Sequence, residues 1–324
     1  MPIRKIVTPQ NVSKQLNKLP ALKTPVMDDI YPASVRDTHP FATIKIDEVA
    51  EIAKAVPVVM RGSTSVTLGG GDRTISEIEP LPVIVNYPVT ARELNDIKTL
   101  TAEGQQAWLR NKIDYARRVI RKTTEALCAQ SLSGKIEFAM KTEDGLDKYT
   151  VDYGSVLSHT PSIKWDASNA TLKTIIDDLI AMTEKIEEEG GGTSVEFKAG
   201  KSVFSRLAEL IGNVTNPRLE AKIDGNTIYL AGYKITRYAS RYYDPITKAF
   251  KDVIDPKTIK AVAKDGGFAF RYLAVDDIDA DLEPTPLYIK PIKLDDPSGY
   301  KLLGQSKPFP IPDIKSICDA QVLT

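Results

Sequence analysis

The residues best able to do chemistry in this 324-residue chain are one glycine-lysine-serine turn, two histidines, two cysteines and a large pool of acids. Ala199-Gly200-Lys201-Ser202 resembles the end of a phosphate-binding loop, in which backbone amides curl around a phosphate and the lysine reaches its outer oxygens. That loop also needs a glycine five residues before Gly200. Val195 stands there, inside an apolar run, so an ordinary strand-to-helix turn is expected. A phosphate- or nucleotide-binding enzyme using Gly200, Lys201 and Ser202 is the competing reading from a different functional class. Gly69-Gly70-Gly71 and Gly190-Gly191-Gly192 suit turning and helix capping, because neither leads closely into a helix start. A Ser-His-Asp or Cys-His arrangement would have to use His39, in a proline-rich stretch, or His159, near Pro161; Gly-x-Ser-x-Gly is absent. Cys128 and Cys318 lie in apolar patterns and read as small buried hydrophobes. No catalytic residue, cofactor site or metal site is expected.

Composition narrows the classes further. The 43 Lys+Arg balance 43 Asp+Glu, which argues against a protein that grips nucleic acid by surplus positive charge. Two Cys are too few for a disulfide framework and suggest a reducing compartment. With 42% hydrophobic and 27% charged residues the chain is globular. It begins without the apolar core of a signal peptide and has no uninterrupted apolar run of about 20 residues, so a soluble, cytoplasmic protein with no membrane partner is expected. The charge is uneven, however. Arg110, Lys112, Arg117, Arg118, Arg121 and Lys122 face one acid, Asp114, a local +5. Asp177, Asp178, Glu184, Glu187, Glu188 and Glu189 face one base, Lys185, a local −5. Copies of such a chain can be complementary to one another.

The elements that would position these groups follow an uneven order. Six prolines in residues 1–40 predict an extended arm with a helical turn around 12–19. Residues 41–88 read as a long two-stranded ribbon with a polar, glycine-rich tip at 61–73, too slender to be stable alone. Thr90-Ala91-Arg92-Glu93 fits a capping box opening a short helix. The proline-free stretch 103–132 carries Leu109, Ile113, Ala116, Ile120 and Leu127 on one stripe, predicting a helix roughly 45 Å long. A hairpin around Glu143-Asp144-Gly145 comes next, then a helix capped at Ser168-Asn169, a strand at 195–199, a third helix, and short strands to the end. The fold class is α+β.

This order resembles the major capsid protein of tailed bacteriophages, in particular the lambda-like capsid E family with the HK97 fold. The residues that carry the resemblance are Pro88-Val89-Thr90-Ala91-Arg92-Glu93-Leu94, Ala126-Leu127 through Ser133-Gly134-Lys135, Val151-Asp152-Tyr153-Gly154, and Ser306-Lys307-Pro308 to Pro312-Asp313. It covers about residues 35–324. It implies an N-terminal arm at 1–40, an extended E-loop hairpin at 41–88, a peripheral domain with a long spine helix at 89–160, an inserted axial domain at 161–283, and a return to the peripheral domain at 284–324. The implied function is self-assembly, as hexamers and pentamers, into an icosahedral shell around a double-stranded DNA genome. An encapsulin-like nanocompartment shell is the alternative within the same fold.

The implied partners are other copies of the chain, a separate scaffolding protein, a portal, a decoration protein, and packaged DNA held without sequence specificity. The place of action is the virion, after synthesis in the host cytoplasm. The expected assembly contacts are Arg61, Gly69, Gly70, Gly71, Asp72 and Arg73 at the ribbon tip, Arg110, Arg117, Arg118 and Arg121 on the spine helix, and Asp177, Glu184 and Glu188 on the acidic helix. Some shells of this fold join a loop-tip lysine to a neighbour's asparagine. This chain has no lysine between Lys54 and Lys98, and the guanidinium groups of Arg61 and Arg73 are poor nucleophiles, so no such cross-link is expected.

Overall fold

Pro9 and Pro25 open helices instead of extending the arm, because a proline at the first helical position brings the right φ and forfeits no hydrogen bond. A computed structural model describes residues 3–45, 77–212 and 221–324. Helix α1 (Pro9–Leu16) is capped by Thr8, whose hydroxyl accepts from the Asn11 amide at 3.2 Å. Helix α2 (Pro25–Ile30) follows, then strands β1 (Arg36–His39) and β2 (Ile44–Lys45). The expected extended arm is thus corrected to a helical one. Its Ile3, Ile6, Val7, Val12, Val26, Met27, Ile30 and Tyr31 are buried against the same chain.

Strand β2 pairs antiparallel with β3 (Glu77–Ile78), Ile44 opposite Ile78, which forms the base of the expected ribbon. Residues 46–76, with the ribbon's tip, lie outside the described residues, and 83–88, expected to end the ribbon, pair instead with residues 301–306 of the same chain. Strand β4 (Val83–Thr90) runs into helix α3 (Ala91–Thr99), where the Thr90 hydroxyl accepts from the Glu93 amide. Glu93 does not return the bond as a capping box would. Its carboxylate accepts from Trp108 Nε1 at 3.0 Å and pairs with Lys112 at 2.8 Å.

Helix α4 (Ala102–Ser131) is the 30-residue spine. Leu109, Ile113, Ile120 and Leu127 of the predicted stripe are buried and Ala116 is half-buried. Gly134 then turns the chain at φ +76°; a Cβ there would lie 2.1 Å from the Gly154 carbonyl oxygen, so only glycine lets the root of the next hairpin close. That hairpin is β5 (Lys135–Lys141) with β6 (Leu146–Asp152), followed by β7 (Leu157–Ser158).

Helix α5 (Leu172–Glu188) is capped by Thr171, three residues later than expected, in a reciprocal box with Thr174. Strand β8 (Val195–Ala199), helix α6 (Lys201–Gly212), β9 (Ala221–Asp224), β10 (Thr227–Leu230) and β11 (Tyr233–Arg237) follow. Hairpin β12 (Arg241–Asp244) and β13 (Ala249–Asp252) precedes β14 (Thr258–Ala263) and β15 (Ala269–Leu273). The chain closes with β16 (Tyr288–Leu294), β17 (Gly299–Ser306), β18 (Pro308–Ile311) and β19 (Ile317–Gln321).

Among the described residues, three sheets have three or more strands, and the pairs β2-β3, β5-β6 and β12-β13 stand by themselves. The largest has seven strands in the order β7-β19-β14-β8-β11-β10-β9. Side chains alternate across it. Phe197, Ala199, Ile259 and Ala261 meet α5 and α6 on one face, while Val262 and Ile317 meet α2 and the end of α4 on the other. The arm therefore covers the second face of the central sheet. A second sheet, β16-β17-β4, lies on the spine helix, with Gly304 of β17 over Ala116. The third, β1-β15-β18, joins the arm to the last third of the chain. The seven-stranded sheet thus takes β7 and β19 from outside 161–283, and β15, inside that range, pairs with the arm's β1.

Candidate assembly surfaces

The most enzyme-like turn in the sequence is a structural joint. The amides of Ser202 and Val203, at the start of α6, both donate to the Pro256 carbonyl at 3.1 Å, and the Gly200 amide donates to the Thr258 carbonyl at 3.0 Å. A phosphate would have to displace these bonds. Gly200 is glycine because a Cβ would lie 2.1 Å from the Asp255 carbonyl oxygen. The nucleotide-binding reading is corrected accordingly.

The histidines are also committed locally. His39 Nε2 lies 3.1 Å from the Thr43 carbonyl oxygen, its ring edge-on to Phe41. His159 Nε2 is 2.9 Å from Asp178 Oδ1, while Asp178 Oδ2 accepts from the buried Trp165 Nε1 at 2.8 Å. This Asp178 bridge ties α5 to the connection before it, and its other partner is an indole rather than a serine or cysteine nucleophile. Burial pushes the Cys318 thiol up to about 11 and raises Cys128 well above the ordinary thiol range. Among the described residues, no three His, Cys, Asp or Glu side chains converge as a metal site, and no helix is long and apolar enough to cross a membrane.

The basic stretch of the spine helix is divided between two tasks. Arg110 Nε donates to Gln15 Oε1 at 3.0 Å, Arg117 Nη2 donates to the Pro20 carbonyl at 2.9 Å, and Arg121 donates to the Met27 sulfur. Three of the four spine-helix arginines expected to meet other copies therefore hold the chain's own arm. Arg118 stays exposed and pairs with Asp114 at 2.7 Å. On α5, Asp177, Glu184 and Glu188 are exposed. Arg61, Gly69, Gly70, Gly71, Asp72 and Arg73 lie outside the described residues.

The arm is further fixed by a charge network that sequence patterns do not signal. Glu125, on α4, accepts from the Val26 amide at 2.7 Å and the Met27 amide at 3.0 Å, so the spine helix caps α2 from outside. Burial raises the Glu125 carboxyl above its usual range despite these two bonds. Asp29, on α2, lies 2.7 Å from Lys198 Nζ in the central sheet, and Lys198 is 2% exposed. Lys198 also pairs with Glu196 at 2.9 Å, and Glu196 with Lys234 at 2.8 Å. Tyr238 and Lys264 donate to Asp29 at 2.5 Å each. Burial opposes ionisation of Asp29, but the Lys198 charge and the donated hydrogen bonds outweigh it and hold the carboxyl at about 2. The one sequence clue is a lysine between Phe197 and Ala199 in a strand buried on both faces.

The arrangement is a single building block: arm, spine and central sheet locked together, with charged and apolar groups left on the outside. The family model for phage major capsid protein E matches residues 8–322. The chain is similar in structure to a protein assigned as the capsid protein of an Escherichia coli prophage, with a TM-score of 0.64 and 16% identity over 98% of this chain and 99% of that one. It is also similar to a phage-related protein from Bordetella bronchiseptica, with a TM-score of 0.52 and 13% identity over 97% and 96%. An encapsulin from Synechococcus elongatus aligns at a TM-score of 0.48 and 9% identity over 98% and 96%. No curated protein matches the chain.

Proposed function

Because the chain belongs to the phage major capsid protein E family, and is a shell-forming structural protein of the virion with the HK97-like fold, we propose how it builds that shell. Copies assemble as hexamers and pentamers, with the ribbon that starts from β2 and β3 reaching a neighbouring copy and the arm at 1–40 serving as an internal brace. Residues 89–160 and 284–324 form the peripheral domain. Residues 161–283 form the axial domain, with its sheet completed by β7 and β19.

The shell encloses double-stranded DNA without gripping it, in keeping with the balance of 43 bases and 43 acids. The chain is made in the host cytoplasm and guided by a separate scaffolding protein. A portal occupies one vertex, and a decoration protein binds outside. Arg118, Asp177, Glu184 and Glu188, with the ribbon tip Arg61, Gly69, Gly70, Gly71, Asp72 and Arg73, are the surfaces offered to neighbours. Arg110, Arg117 and Arg121 act indirectly, by holding the arm.

The observation that carries this reading is the extent of the family match. It spans arm, spine, the seven-stranded and both three-stranded sheets, and the closing strands. The test is co-expression of the full chain with the head-assembly proteins of its phage, followed by size-exclusion chromatography and negative-stain microscopy. Closed particles or ring-shaped capsomers are expected. A protein that stays monomeric under all conditions would overturn the reading, and particles filled with enzyme in place of nucleic acid would favour a nanocompartment.

A further inference from the structure

Residues 276–283, Asp-Asp-Ile-Asp-Ala-Asp-Leu-Glu, contain five acids and no base. They form a tight turn built around buried Asp277. Its carboxylate accepts from the Asp279 amide at 3.0 Å, from Lys290 Nζ at 2.7 Å and from Gln305 Nε2 at 2.6 Å. Asp281 and Leu282 both hold left-handed backbone, at φ +53° and +54°, a conformation that costs energy for any residue but glycine and persists where neighbours over-determine it. The product is a rigid projection on which Ile278 is 87% exposed and Leu282 56% exposed. A scattered surface leucine is ordinary. An isoleucine held outward by a strained, buried network buries almost nothing within its own chain.

We infer that this projection is a docking knob for the spine helix of a second copy, a reading that rests on the shell function proposed above. Two knobs cannot meet each other, because that would oppose acids to acids. The contact must be heterologous, the type that closes rings and extends shells. The complementary surface is the outer stripe of α4, where Asn111, Tyr115, Arg118 and Lys122 are exposed at spacings of four, three and four. With Arg110, Arg117 and Arg121 turned to the arm, the outward charge of this stretch rests on Arg118 and Lys122. Tyr115 is 60% exposed and supplies the apolar ring that Ile278 and Leu282 need. The Arg118 side chain is 61% exposed and shares Asp114 with Arg117, so its planar fork keeps donors to offer Asp281 or Glu283 of the neighbour.

Charge reversal and its rescue test this contact in the full chain co-expressed with its head-assembly proteins. Asp281→Lys with Glu283→Lys, or Arg118→Glu with Lys122→Glu, is expected to lower the particle yield at least tenfold while lowering the melting temperature of the free subunit by no more than about 4 °C. All four changes together are expected to restore at least half the yield. Ile278→Ser with Leu282→Ser, which tests the apolar part, is expected to give the same loss. If wild type assembles and the reversed variants assemble equally well, or fail without mutual rescue, the knob contact is wrong and the shell function stands. If wild type forms neither capsomers nor particles, the shell function fails and takes the contact with it.

Discussion

Asp29 of the arm reaches through to Lys198 of the central sheet, 2.7 Å from carboxylate to ammonium, at a point where the lysine is almost sealed from water. Removing one partner of a buried pair leaves the other charge stranded, which costs about 3–5 kcal/mol. Glu196 still faces Lys198 at 2.9 Å, so the lower end applies to Asp29→Asn: a loss of roughly 3 kcal/mol is expected in chemical denaturation at neutral pH.

The same carboxyl sets a pH dependence. Its folded value, about 2, lies below the ordinary Asp value, so its stabilisation is fully present above about pH 4 and is lost as pH falls toward 2. Denaturation midpoints measured from pH 6 down to pH 2 should decline less steeply for Asp29→Asn than for wild type. Equal slopes would show that Asp29 is not held ionised by its lysines.

Glu125 runs the other way. Burial raises its folded value, so its contribution is largest at low pH and declines as pH rises through the folded value. Glu125→Ala strips the external cap from α2 and should cost about 1–2 kcal/mol. Hydrogen exchange at the Val26 and Met27 amides should quicken selectively in this variant. Uniform exchange across the arm would contradict the capping role.

Gly200 and Lys201 separate the structural joint from the phosphate loop it resembles. Gly200→Ala forces a Cβ onto the Asp255 carbonyl oxygen and is expected to lose several kcal/mol or fail to fold, on the order of the overpacking penalty. Lys201→Ala changes an exposed side chain and should leave stability within about 0.5 kcal/mol. Binding of ATP or GTP by wild type in calorimetry, lost in Lys201→Ala, would revive the discarded reading.

Mature particles should contain no intersubunit isopeptide bonds through the ribbon tip, because residues 55–97 include no lysine. On a denaturing gel the chain is expected at its monomer mass of 35.7 kDa, and a covalent ladder would refute this.

The sequence by itself determined the elements whose signals are local. The proline-free stretch before Gly134 announced the spine helix to within a residue at each end, and Val195–Ala199 emerged as predicted, because both depend on period and on breakers at their boundaries. The glycine-lysine-serine turn was likewise legible as a joint from the missing glycine at Val195. Partners far apart in the chain were not. Asp29 and Lys198 are separated by 169 positions, and nothing near either residue marks the other. The arm shows the same limit: its prolines suggested an extended segment, but burial of Val26, Met27 and Tyr31 between the spine helix and the central sheet made it helical and internal. That packing, in turn, decided which arginines hold the arm and which remain outside, since one helix face cannot do both. Local propensity is written residue by residue, whereas the partition of a charged helix between its own arm and a neighbour exists only once the surfaces have met.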